Sequence, residues 1–134
     1  MYLLDTNIIL ELLLEQEKAD EVEYFLRNTS LSQLCLSEFS LYTIGINLLR
    51  GQKSDSLLKV IEDMLIMGGV QLIRLKVGDM EKLVDFPKRF NLDFDDAYQY
   101  TLAEKYNLTL VSFDSDFDKT ERGRKTPKEV TDGR

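Results

Sequence analysis

Four short apolar runs, separated by stretches of helical period, constrain this chain more than any other feature. The runs are Tyr2-Leu3-Leu4, Leu34-Cys35-Leu36, Val70 to Leu75 and Thr109 to Ser112. Between them the apolar residues recur at three- and four-residue spacing, as in Ile8, Ile9, Leu12 and Leu13. Further helices are predicted over Glu17–Arg27, from Ser37 to about Arg50 with Gly51 as terminator, over Ser56–Met67, and over Val77–Phe90. The last starts at Asp93 or Asp95 and reaches Tyr106-Asn107. Strands that alternate with helices form a parallel sheet covered on both faces. The expected fold class is therefore α/β, with a central parallel sheet. Such a sheet carries its functional crevice at the carboxyl ends of its strands. Asp5 follows the first run directly, and Asp114 and Asp116 follow the last, so both sets are expected at one edge.

The residue inventory narrows the chemistry. The 134 residues suit one domain, expected over 1–130, with 131–134 as a frayed tail. There is no histidine, which excludes Ser-His-Asp and Cys-His catalysis and any His-ligated metal. The one cysteine, Cys35, lies in an apolar run and reads as core. No phosphate-cradling glycine motif occurs. No apolar run approaches a membrane span, and the N-terminus lacks the pattern of a signal peptide, so a cytoplasmic protein is expected. The net charge of −7 disfavours a non-specific nucleic-acid binder, but acids gathered around a cation remain compatible with a nuclease.

Asp96 opens the helix Asp96-Ala97-Tyr98-Gln99-Tyr100. A single acid at such a position is ordinarily a cap or a solvated group, favoured by the helix dipole. The placement of Asp5 and Asp114 after two different strands, with Asp96 at a helix start, predicts three carboxylates crossing one sheet edge. Crowded carboxylates repel and call for a cation. An all-oxygen ligand set selects Mg²⁺ or Mn²⁺. Such an ion supports hydrolysis of a phosphodiester without histidine.

Three segments, in order, carry a family resemblance: Leu3-Leu4-Asp5-Thr6-Asn7, Leu92-Asp93-Phe94-Asp95-Asp96-Ala97 and Val111-Ser112-Phe113-Asp114-Ser115-Asp116-Phe117. The chain resembles the PIN-domain nucleases over nearly its whole length, and especially the VapC-like toxins of type II toxin–antitoxin pairs. The resemblance implies a three-layer α/β/α sandwich and endoribonuclease activity dependent on Mg²⁺ or Mn²⁺. It implies Asp5, Asp96 and Asp114 as catalytic metal ligands, Asp116 close by, and Thr6 shaping the site. It also implies an RNA substrate and, for a toxin, a cognate antitoxin. One departure stands out. The family usually places a glutamate in the helix after the second strand, and aligning the strand ends puts Thr43 there. Glu38 lies five positions earlier, roughly 140° around the helix, and is the nearest acid that would reach the metal.

Several features leave alternatives open. Lys119 and Arg122, with Arg124, Lys125 and Lys128, would meet RNA phosphates beside the acids, or form a solvated tail. Thr126 to Val130 reads as a turn into a short edge strand. Tyr98, Tyr100 and Tyr106 read as core or interface before they read as base-stacking platforms. The surplus of apolar residues at Leu41, Ile44, Ile46, Leu48 and Leu49 reads as core first and homodimer surface second. The missing glutamate also leaves open a catalytically degenerate PIN-like domain acting as an RNA- or protein-binding module. A phosphatase with an aspartyl nucleophile is disfavoured, because Asn7 stands where that class places a second aspartate.

Overall fold

The computed structural model describes all residues from Met1 to Arg134. Its strands are β1 (Tyr2–Leu4), β2 (Leu34–Ser37), β3 (Gln71–Ile73) and β4 (Thr109–Val111). They form one parallel sheet in the order β3-β2-β1-β4. Leu3 pairs with Cys35 on one side and Leu110 on the other, so β1 is central. The helices are α1 (Thr6–Leu13), α2 (Ala19–Arg27), α3 (Glu38–Arg50), α4 (Ser54–Val60), α5 (Met80–Phe90), α6 (Phe94–Tyr106) and α7 (Pro127–Asp132).

Strand alternation divides the apolar residues between two cores. Leu4, Leu34, Leu36 and Val111 face one side, where α1 to α4 and α7 supply Ile8, Phe25, Ile44, Val60 and Val130. Leu3, Cys35 and Leu110 face the other, where α5 and α6 supply Phe86, Ala97, Tyr100 and Leu102. The result is the expected three-layer α/β/α sandwich, and Cys35 is core as read from the sequence, at 2% exposure. On α3, Ile44 and Leu48 are buried, whereas Tyr42, Ile46 and Leu49 are exposed along its outer side. No helix is long and apolar enough to cross a membrane.

Beyond α4 the helix widens into a π turn over Ile61–Ile66 before the Gly68-Gly69 stop. Gly68 is packed against backbone. A Cβ there would sit 2.4 Å from the Asp63 carbonyl oxygen and 2.9 Å from that of Met64. Neither carbonyl can move without opening the turn. Gly68→Ala is therefore expected to cost roughly 2–3 kcal/mol in urea unfolding. An unchanged midpoint would show that this turn adapts freely.

One expected element is different. Thr126 to Val130 does not add a strand; the sheet contact there is a single bridge between Val111 and Lys125. The segment forms α7 instead. Thr126 Oγ1 accepts from Glu129 N, the Glu129 carboxylate accepts from Thr126 N, and Pro127 occupies the first turn. These local bonds outweigh the strand preference of Val130 and Thr131, and Val130 is buried on the α2 side. The helix carries the chain through Asp132, and the Arg134 guanidinium donates to Asn28 O and Thr29 Oγ1.

Candidate metal centre

The carboxyl ends of β1 and β4 deliver the first acids. Asp5 is the N-cap of α1, and its backbone N–H donates to Val111 O at 2.9 Å, which ties the two strand ends together. Its carboxylate is 7% exposed and fully engaged. Oδ1 accepts from Thr6 N at 2.9 Å and Gln99 Nε2 at 3.3 Å, and Oδ2 accepts from Ser112 Oγ at 2.6 Å. Burial pushes the Asp5 carboxyl up, against these hydrogen bonds, and the charge of Asp114 adds to the rise.

Ser112 is a crossing point. Besides donating to Asp5, its hydroxyl accepts from Asp114 N at 2.9 Å and from Asn7 Nδ2 at 3.3 Å. The Asn7 side-chain oxygen in turn accepts from Phe113 N at 3.3 Å. Asn7 thus clamps the turn that presents Asp114. Asp114 Oδ1 accepts from Asp116 N at 2.9 Å, which starts a short 3₁₀ turn over Ser115–Lys119.

Asp96 arrives from the other side of the sheet, in the first turn of α6. Asp93 holds the N-cap position by its backbone, with no side-chain bond, and Asp95 is exposed. Asp96 is 9% exposed. Its carboxyl oxygen and those of Asp114 and Asp116 lie within 4.8 Å of one another. Burial, followed by the charges of Asp114, Asp5 and Asp116, pushes the Asp96 carboxyl up to about 7. The structure therefore brings the acids to one edge, with a shift in emphasis. Asp116 joins Asp96 and Asp114 in the tight group, while Asp5 stands beside it, close enough to raise Asp96.

The PIN domain model matches residues 2–123. The chain belongs to the PIN domain family.

Solved structures agree with this PIN domain in fold. A toxin–antitoxin complex from Klebsiella pneumoniae is 19% identical, with 96% of this chain and 99% of that chain covered, at a TM-score of 0.74. FitAcB from Neisseria gonorrhoeae is 23% identical, with 95% and 98% covered, at 0.71. A sarcin-ricin loop cleaving VapC toxin from Mycobacterium tuberculosis is 13% identical, with 91% and 96% covered, at 0.76. No curated protein matches the chain by sequence.

Two hydroxyl side chains of α3 bond differently. Thr43 donates its hydroxyl to Phe39 O, one turn back along its own helix. The α3 side chain that reaches the site is Ser40, fully buried, whose Oγ lies 2.5 Å from Gln99 Nε2 and 2.8 Å from Thr6 Oγ1. Glu38, half-buried in the first turn, is outside the tight acidic group. Thr6 Oγ1 lies 2.8 Å from Ser40 Oγ, and its backbone N–H donates to Asp5 Oδ1.

Lys119 and Arg122 are exposed and bonded to helix ends. Lys119 Nζ donates to Asn91 O, at the left-handed end of α5. Arg122 Nη2 donates to Asn107 Oδ1 and Leu108 O, at the left-handed end of α6. Both cations satisfy carbonyl-rich helix ends. Tyr100 is core and its hydroxyl accepts from Arg122 N; the Tyr98 hydroxyl accepts from Leu75 N, and Tyr106 is half-exposed.

Gln99, Ser40, Ser112 and Asn7 carried no separate sequence signal as site residues. One clue was available for Gln99: it follows Asp96 by three positions, which places both on one side of α6.

Proposed function

We propose that this PIN domain is a Mg²⁺- or Mn²⁺-dependent endoribonuclease of the toxin type. The observation that carries this reading is the group Asp96, Asp114 and Asp116, with oxygens within 4.8 Å and Asp96 pushed up to about 7. Anions held so close favour a proton or a cation between them. The donor set is entirely oxygen, which fits a hard divalent ion. Asp96, Asp114 and Asp116 would hold the ion, with Asp5 beside them. When bound, it would supply an activated water and offset negative charge on the scissile phosphate.

The rest of the work falls to this chain's own groups. Ser112, Asn7 and the 3₁₀ turn orient Asp114 and Asp116. Gln99, Thr6 and Ser112 hold Asp5. Burial of Asp5 and Asp96 lowers the local dielectric, so charge interactions there are stronger than in water. Lys18 Nζ lies 5.0 Å from the Phe113 ring centre, next in sequence to Asp114, and offers a cation for RNA phosphate.

A toxin-type role brings two further expectations: a protein antitoxin, supported by the toxin–antitoxin complex among the similar folds, and a cytoplasmic RNA target. The exposed Tyr42, Ile46 and Leu49 stripe on α3 supports a homodimer surface. The alternative, a PIN fold kept as an RNA- or protein-binding module, draws on one observation: α3 presents Ser40 rather than an acid.

Incubation of the purified protein with a mixed pool of structured RNAs and Mn²⁺ tests the choice. Cleavage is expected, abolished by EDTA and by Asp5→Asn, with the folded spectrum retained. RNA retention without cleavage in any divalent ion would favour the binding module.

A further inference from the structure

Gln99 is 1% exposed and sits between two elements distant in sequence. Its Nε2 donates to Asp5 Oδ1 at 3.3 Å and to Ser40 Oγ at 2.5 Å. The Asp5 carboxylate oxygen only accepts, so the amide is oriented by chemistry: turned over, it would set oxygen against oxygen. This orientation leaves Gln99 Oε1 as the one buried side-chain nitrogen or oxygen atom in the chain without a partner. An unpaired buried acceptor is destabilising, and leucine or methionine would fill the same volume without it. The amide is therefore better explained by what it does to Asp5 than by what it does for the core.

The connection continues beyond Ser40. Ser40 Oγ lies 2.8 Å from Thr6 Oγ1, and Thr6 N donates back to Asp5 Oδ1. The ring Asp5–Gln99–Ser40–Thr6 joins β1, α1, α3 and α6, and only Asp5 in it is charged. The α3 side of the site thus contributes hydrogen bonds where an acid would contribute charge.

We propose that Gln99 is a positioning residue: anchored to α3 through Ser40, it fixes the Asp5 carboxylate beside the Asp96–Asp114–Asp116 group by neutral hydrogen bonds. The inference rests on the metal-site reading above. Residues that orient metal-site carboxylates from outside the coordination shell typically control affinity by roughly ten- to a hundredfold. Ser40 acts on Asp5 chiefly through Gln99, so its effect is contained within that of Gln99.

The test is a Mn²⁺ titration, followed by water-proton relaxation, of the full chain and of Gln99→Leu, Gln99→Met, Ser40→Ala and the Gln99→Leu/Ser40→Ala double variant. Gln99→Leu and Gln99→Met are expected to weaken Mn²⁺ binding about tenfold or more, with the folded spectrum retained. Ser40→Ala should weaken binding less, and the double variant should match Gln99→Leu alone. Wild-type affinity in both Gln99 variants, or multiplying effects of Gln99→Leu and Ser40→Ala, would overturn the proposal. A wild type that binds no Mn²⁺ sinks the metal reading instead. The Gln99 side-chain amide NMR signals then decide: movement on both Asp5→Asn and Ser40→Ala upholds the tether, and indifference to either overturns it.

Discussion

Asp96→Asn is expected to remove RNA cleavage, by on the order of a thousandfold, and to stabilise the ion-free protein. The two effects share one cause. In the folded chain, burial and the charges of Asp114, Asp5 and Asp116 push the Asp96 carboxyl from 3.8 up to about 7. Between those values the folded state holds a proton that the unfolded state has released. Stability therefore falls as pH rises through this window, and the full cost is present above pH about 7. Asparagine has nearly the same shape and no charge to lose. Its advantage should be small near pH 4 and largest at pH 8, on the order of 2 kcal/mol, or roughly 8 °C in melting temperature. Melting curves in EDTA at the two pH values measure this directly. Mn²⁺ should reverse the order, because only the aspartate form gains from the ion. An asparagine variant less stable than wild type at pH 8 would mean that the charge crowding at Asp96 is not felt by the fold.

The second large effect belongs to Ser112→Ala. The lost hydroxyl is fully buried and serves Asp5, Asp114 N and Asn7 at once. Alanine would leave a carboxylate oxygen and two donors short of a partner, at a cost of roughly 3 kcal/mol in urea unfolding. It would also free both strand-end aspartates. Cleavage should fall by roughly a hundredfold, with the loss in turnover rather than in RNA binding, because the hydroxyl acts only on other groups of the protein. Unchanged stability would require a water to take the hydroxyl's place. Unchanged turnover would show that Asp5 and Asp114 hold their positions without it.

These two sites mark what the sequence disclosed and what it withheld. Buried parallel strands read as apolar triplets, so Tyr2–Leu4 and Leu34–Leu36 were legible, and with them the edge where Asp5 and Asp114 emerge. Asp96 was legible because a helix start places it near that edge. Gln99 was not, since its role rests on contacts 94 and 59 residues away along the chain. Nothing local distinguishes such a glutamine from a solvated one. Ser40 was hidden for a related reason: only its bonds to Gln99 and Thr6, 59 and 34 residues away, place it at the site. The helix-end partners of Lys119 and Arg122, 28 and 14 residues away, were likewise invisible in a local charge run. For α7 the capping signal prevails: Thr126, Pro127 and Glu129 spell a capped helix start, against the strand preference of the β-branched Val130 and Thr131.

The central claim is that carboxylates from β1, β4 and α6 form one divalent-ion site in this PIN domain. A Mn²⁺ titration of the purified chain by water-proton relaxation, with Asp96→Asn beside it, tests this without knowledge of the RNA target. Saturable binding by the wild type, lost in the variant, is the predicted result. Absence of binding up to millimolar Mn²⁺, or equal binding by both proteins, would contradict it.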